Sequence, residues 1–178
     1  MDSPKKINKV IKLRWISIAA TILLIIASSF YMQQFSNENL YNEAYEPVDD
    51  YVTNMDNDLS EMEKAMDLFN KQQFDDASQL FNKIYTTTGE QVALFYEGHS
   101  LYQSGKLDAA IKALSKVSNN YQAEAQWYVS LIYLKKGNTT KTLEILNLII
   151  NNNKDEAFVL RAKKLQEKLL SPFRNLIF

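Results

Sequence analysis

The stretch LDAAIKALSKV, residues 107–117, decides how the chain is read, because it recurs. FDDASQLFNKI (74–84) precedes it and TTKTLEILNLI (139–149) follows it in one register. Phe74, Leu107 and Thr139 correspond, then Ala77, Ala110 and Thr142, then Phe81, Leu114 and Leu146, then Ile84, Val117 and Ile149. The copies are offset by 33 residues (74 to 107) and then 32 (107 to 139). Steps of four and three between the small residue and the two large apolar ones put all three on one helix face. The small residue lets a neighbouring helix approach.

A second helical pattern lies upstream of each copy: MEKAMDLF, ALFYEGHSLY and QWYVSLIYL. Small residues recur there in register as Ala65, Gly98 and Ser130, followed three positions later by Leu68, Leu101 and Tyr133. Between the paired patterns run NKQQFD, QSGKLD and KKGNTT. Their Gly, Asn, Asp and Ser residues suit a helix stop and a new start, with Gly105 and Gly137 placed as carboxy-terminal caps. The spacing therefore predicts three helix pairs, at 58–90, 91–122 and 123–152. Region 153–178 follows as a capping helix and an apolar tail. In KDEAFVLRAKKLQEKLL, Phe158, Ala162, Leu165 and Leu169 share one stripe, as the end of a repeat array requires, and Pro172 stops it. The tail SPFRNLIF is expected either to fold back on the last repeat or to touch a partner.

These residues resemble the tetratricopeptide repeat (TPR) family, whose unit is two antiparallel helices in about 34 residues. The likeness covers 58–152. It is carried by the small position before the turn (Ala65, Gly98, Ser130), by Gly105 and Gly137, and by the alanine with its large and aliphatic followers (Ala77, Phe81, Ile84; Ala110, Leu114, Val117). The chain departs from the family where its usual Trp and Leu early in the first helix become Glu61 and Lys64, Leu94 and Glu97, or Gln126 and Val129. The resemblance implies an α-solenoid whose concave groove, lined by the first helices, holds a peptide or a helix of a partner protein. Carried onto this chain, the groove positions are Met62, Met66, Phe69, Phe95, His99, Tyr102, Trp127, Leu131 and Leu134. Met and aromatic side chains suit adaptable recognition of an apolar segment. The same positions also suit plain inter-helix core, and the linker or the tail is a further candidate to fill the groove. Chaperone-binding members of the family use a basic and Asn clamp, and the positions here are not basic, which argues against that role.

The chain of 178 residues carries a net charge of −1, but its charges are sorted by position. Lys5, Lys6, Lys9, Lys12 and Arg14 crowd region 1–14, a basic arm, whereas 33–63 holds acids and neither Lys nor Arg. Between them, 15–32, WISIAATILLIIASSFYM, is uncharged. About 18 residues at ~1.5 Å each make ~27 Å of helix, close to a bilayer's hydrocarbon core, so a transmembrane helix is expected. Basic before and acidic after places the amino terminus in the cytoplasm and the repeats outside, periplasmic if the membrane is a bacterial inner (plasma) membrane. A cleaved signal peptide is the competing reading, since Ala27, Ser28 and Ser29 offer small residues, although the apolar run is long for one. Region 33–57 reads as an acidic linker. Its Tyr41, Tyr45 and Tyr51 lie either against an apolar surface or in a solvated tether.

Chemistry finds little footing. The chain has no cysteine, which removes disulfides, thiol nucleophiles and cysteine-held metals. His99 is the single histidine, with no partner pattern for catalysis or for zinc. GHSLYQSGKL lacks phosphate-loop spacing, and Glu46, Asp49, Asp50, Asp56 and Asp58 lack the order of a calcium loop. Asn138, Thr139 and Thr140 match a glycosylation acceptor pattern. We expect no enzymatic activity, cofactor, metal or nucleic-acid binding.

The expectation is thus an all-α chain: an amino-terminal transmembrane helix, a short TPR-type solenoid of three helix pairs, and a capping helix. In function it reads as an envelope adaptor, with a membrane regulator acting through the basic arm, or an organellar import-receptor-like protein, as alternatives. Partner identity and oligomeric state stay open.

Overall fold

The apolar stripes of the sequence become helices with little adjustment. A computed structural model describes residues 9–48 and 60–174, and these are all-helical, with nine α-helices, one 3-10 turn and no strand. In chain order they are α1 (Lys9–Gln33), α2 (Asn37–Ala44), α3 (Glu61–Asn70), α4 (Phe74–Thr88), α5 (Gln91–Gln103), α6 (Leu107–Leu114), α7 (Gln122–Lys135), α8 (Thr139–Asn152) and α9 (Glu156–Leu169).

Helices α3 to α9 pack mainly on their neighbours in the chain, each on the next. The recurring positions are buried: Ala77, Phe81 and Ile84 of α4, Ala110 and Leu114 of α6 with Val117 after it, and Thr142, Leu146 and Ile149 of α8. Gly98 shows why small residues are needed opposite this stripe. A Cβ built on it would lie 2.5 Å from Leu114 Cγ, so α5 and α6 meet at a distance only glycine permits. In the third pair Ser130 and Thr142 stand at the contact instead. Their hydroxyls donate to backbone carbonyls, Ser130 to Trp127 at 2.6 Å and Thr142 to Asn138 at 3.0 Å, so neither is a stranded polar group.

The three turns within the pairs share one hydrogen-bond pattern. Amides of Gln73, Lys106 and Asn138 donate to the carbonyls of Leu68, Leu101 and Tyr133, and those of Gln72, Gly105 and Gly137 to Phe69, Tyr102 and Leu134. This is the Schellman closure, which needs a left-handed residue after the helix. Gly105 (φ 78°) and Gly137 (φ 77°) supply it, and Gln72 (φ 59°) adopts it without glycine's freedom. Helix starts are capped by Ser60 in a reciprocal box with Glu63, by Asn138 onto the Lys141 amide, and by Asp155 onto Ala157. Asn138 is thus occupied as a helix cap, which gives the residues of the glycosylation-like triplet a structural use.

The apolar helix α1 stands apart. Its segment Arg14–Gln33, 20 residues with none buried in the protein, is long and apolar enough to cross a membrane, at ~30 Å. Trp15 and Leu24 are about 70% exposed, at 68% and 71%. The helix overruns the expected 15–32 at both ends, beginning by Lys9 within the basic arm.

Of the two readings of the acidic linker, its described part takes the packed one. Residues 49–57 and the calcium-like acids within them, with Tyr51, lie outside the described residues, but 36–48 is no solvated tether. Ser36 caps α2 by accepting from the Asn39 amide, and α2 packs on α7 and α9, far away in sequence. The described start of the tail, 171–174, meets the exit of α1, while 175–178 lie outside the described residues. Phe173 packs against Tyr31 and Phe35, with ring centroids 5.7 Å and 6.1 Å apart, and Arg174 donates to the Phe35 carbonyl at 2.8 Å, to Asn37 and to Thr139. The turn between α7 and α8, the tail and the exit of α1 are therefore tied together.

Candidate functional site

Asn-Glu-Asn-Leu-Tyr-Asn-Glu-Ala is a poor helix on its own, at eight residues and with three asparagines. It is helical because its apolar side has a surface to meet. Leu40 and Tyr41 are buried, and Tyr45 follows one turn after Tyr41 with its ring stacked on it at 5.4 Å. Tyr45 also packs on Tyr102 of α5 at 5.9 Å and Tyr128 of α7 at 6.3 Å. Segment 36–48 is hereafter the strap.

Polar contacts fix the strap's position. Gln103 Nε2 donates to the Tyr45 hydroxyl at 2.9 Å, and the Tyr128 hydroxyl donates to the Glu46 carbonyl at 2.8 Å. Burial pushes the Tyr45 phenol up, the Tyr102 phenol up to about 12, and the Tyr128 phenol further up, so all three keep their protons at neutral pH. Tyr128 thus remains a donor to the strap.

Cations complete the site. Arg161 of α9 pairs with Glu46 at 3.0 Å and lies over the Trp127 ring at 4.8 Å; Lys168 pairs with Glu43. Lys135, at the end of α7, sits 5.1 Å from the rings of both Tyr41 and Tyr102. Beneath Glu43 and Ala44 a cavity of about 170 Å³ remains, lined on the opposite side by Trp127, Arg161, Lys164 and Leu165. The face of α5, α7 and α9 is therefore aromatic at its centre and cationic at its rim, and it holds an acidic helix.

The nine expected groove residues fall into distinct places. Tyr102 touches the strap and Trp127 lines the cavity against it. Phe95 and His99 stand behind Tyr128, with His99 4.1 Å from its ring centroid. Phe69 packs between hairpins against Phe74 and Tyr96. Met66, Leu131 and Leu134 are buried, and Met62 is half-buried. The groove is not an open apolar surface: eight of the nine are buried, Met62 alone being partly exposed. His99 is buried with neither ring nitrogen hydrogen-bonded among the described residues, and burial holds its pKa down at about 3. It is a neutral packed side chain.

Sequence reasoning passed over Tyr128, Gln103, Lys135, Arg161 and Lys168, and within the strap Leu40, Glu43 and Glu46. One signal for the strap was present: Tyr41 and Tyr45 at helical spacing, between Ser36 as a cap and Pro47 as a stop. Family models, curated proteins and solved structures give no match to the chain.

Proposed function

We propose that the chain is a membrane-anchored scaffold of TPR type that holds a helix or peptide of a partner protein on the face of α5, α7 and α9. The observation that carries this reading is that the face already holds a helix, the strap, by aromatic anchors and rim charges. Packing in chain order and three like turns at repeat spacing support a short solenoid with α9 as its cap. In that architecture the first helices of the pairs line the concave side; α5 and α7 are such helices, and the cap α9 follows in the same row. The basic residues before the apolar run 15–32 and the acids after it support an amino terminus in the cytoplasm and the repeats on the extracytoplasmic side of a plasma membrane.

A photoreactive side chain at Lys164, beside the cavity, tests the reading in the full-length protein in its membrane. A discrete partner protein captured from Lys164 and not from Leu148, which is exposed on α8, is the expected result. Absence of any captured protein other than the chain itself would overturn it. For topology, protease added to sealed right-side-out vesicles should digest the repeats.

A further inference from the structure

Resting on that scaffold reading, we infer that the strap is an internal copy of the ligand, so that the face selects an acidic, tyrosine-bearing partner helix, which binds by displacing α2. The pattern it must present is the strap's own: an apolar residue and Tyr side by side (Leu40, Tyr41), acid two residues after that Tyr (Glu43), then Tyr and acid again (Tyr45, Glu46).

Three observations lead there. Two acids of the strap meet cations of the face, Lys168 on Glu43 and Arg161 on Glu46; the strap carries no cation of its own, and the one acid of the face beside it, Glu124, shares its pocket with Arg161. A basic helix in the same place would set like charges against Arg161 and Lys168, which selects against it. The face also reads the ligand's tyrosines and backbone: Lys135 stands over Tyr41, Gln103 donates to the Tyr45 hydroxyl, and Tyr128 donates to the main-chain carbonyl of Glu46, just past the end of α2. Lastly, α2 has eight residues and owes its helicity to docking, so releasing it and melting it are one event. The strap competes at the high effective concentration of a tethered segment, which sets a threshold the partner must exceed.

The experiment uses the full chain in detergent micelles and a fluorescent synthetic peptide with the sequence of residues 36–48, SNENLYNEAYEPV. A chain carrying Leu40→Ser and Tyr45→Ser, with helicity retained by circular dichroism, is expected to bind the peptide saturably and about tenfold or more tighter than wild type, whose own strap competes. The peptide with Lys at the positions of Glu43 and Glu46 is expected to lose about tenfold, and to regain it on a strap-broken chain that also carries Arg161→Glu and Lys168→Glu. Should Leu40→Ser and Tyr45→Ser disturb folding, Arg161→Glu with Lys168→Glu in the wild-type chain leaves every fully buried side chain in place. That pair must speed amide exchange in α2, and adding Glu43→Lys with Glu46→Lys must slow it again. Equal binding of the native and Lys-substituted peptides overturns the inference, as does refusal of the peptide by a folded strap-broken chain. So does binding restored only by a second wild-type copy, which would make exchange of straps between copies the rule. Capture from Lys164 of a partner that docks a basic or uncharged helix overturns the partner class and leaves the scaffold reading standing. That reading falls only on its own test, when nothing is captured.

Discussion

The stack from α3 to α9 and the strap that lies across it bury the same kinds of side chain, yet they are held by contacts of different reach. In the stack each helix meets its neighbour in sequence, along a stripe of three or four buried residues, and the turns between are closed by backbone hydrogen bonds. The strap has two buried side chains, Leu40 and Tyr41, and otherwise depends on partners such as Gln103, Tyr128 and Lys168, 58, 82 and 125 residues away in their bonds to it. Its ion pairs are exposed, a class worth about 0–1 kcal/mol each. The difference teaches that one chain contains a body whose cohesion is local and redundant and a segment whose cohesion is sparse and drawn from residues far away in sequence. Stability should therefore fall steeply on damage to the stripe and hardly at all on damage to the strap.

The largest effect is expected from Phe81→Ala, at the centre of the α4 stripe and fully buried against Tyr96 at 5.5 Å. Loss of a buried phenylalanine costs about 3–5 kcal/mol, read as a shift of the urea midpoint followed by circular dichroism in detergent. Gly98→Val tests the same stripe from the other side. With Leu114 Cγ already 2.5 Å from where a Cβ would sit, α5 and α6 have to move apart, at about 1–3 kcal/mol. If either variant keeps the wild-type midpoint, the stack is not held by its stripe.

These two residues also show how much was legible beforehand. The stripe could be read because a repeat states its core three times, so that Phe81, Leu114 and Leu146 identify one another. The small position opposite could be read for the same reason. The strap had no second copy to confirm it, and its asparagines disfavour helix until a surface is supplied. Nor could the face be assigned residue by residue: α7 is buried nearly all round, from Ala125 through Trp127 to Leu134, so no polar side marks its direction. Trp127 was placed in the groove by register, while its neighbour Tyr128, which holds the strap carbonyl, carried no such mark. Arg161 and Lys168 looked like the solvated side of a capping helix. Their partners Glu46 and Glu43 are more than 100 residues away.

The boundary between stack and strap runs through His99, and acid sharpens it. Its folded pKa, about 3, lies below its ordinary value of 6.5, so the fold favours the neutral ring. The stability this contributes is fully present above pH ~6.5 and is lost as pH falls toward 3, at about 1.4 kcal/mol per unit. Between pH 7 and pH 5 the wild-type chain should thus lose about 2 kcal/mol that His99→Leu does not lose. The variant should be no less stable at pH 7, because the two ring nitrogens it removes have no hydrogen-bond partner among the described residues. Parallel pH profiles for the two proteins would show that the ring is hydrated.

Within the stack the three turns share one closure but differ at its left-handed position, and the next effect comes from there. Gln72 holds the left-handed conformation that Gly105 and Gly137 hold in the other pairs. Gln72→Gly should raise stability by about 1 kcal/mol, and Gly105→Ala should lower it by about as much, on the same urea curves. A fall on Gln72→Gly would mean that the glutamine side chain makes up for its backbone.

The smallest change in the urea midpoint is expected where the loss of buried contact looks large. Leu40→Ala removes most of a side chain that is 1% exposed, and in the stack such a truncation costs about 2–5 kcal/mol. In the strap that cost has a ceiling. Once it exceeds the free energy that keeps α2 docked, the strap detaches and the stack goes on unfolding as before, so the midpoint should move by less than about 0.5 kcal/mol. Amide exchange should report the rest. Protection in α2 is expected to vanish, while the amides of α5 and α7 under it keep theirs. A midpoint lowered as far as Phe81→Ala lowers it would make strap and stack a single cooperative unit. The face could then not be cleared for another helix without unfolding the domain that presents it.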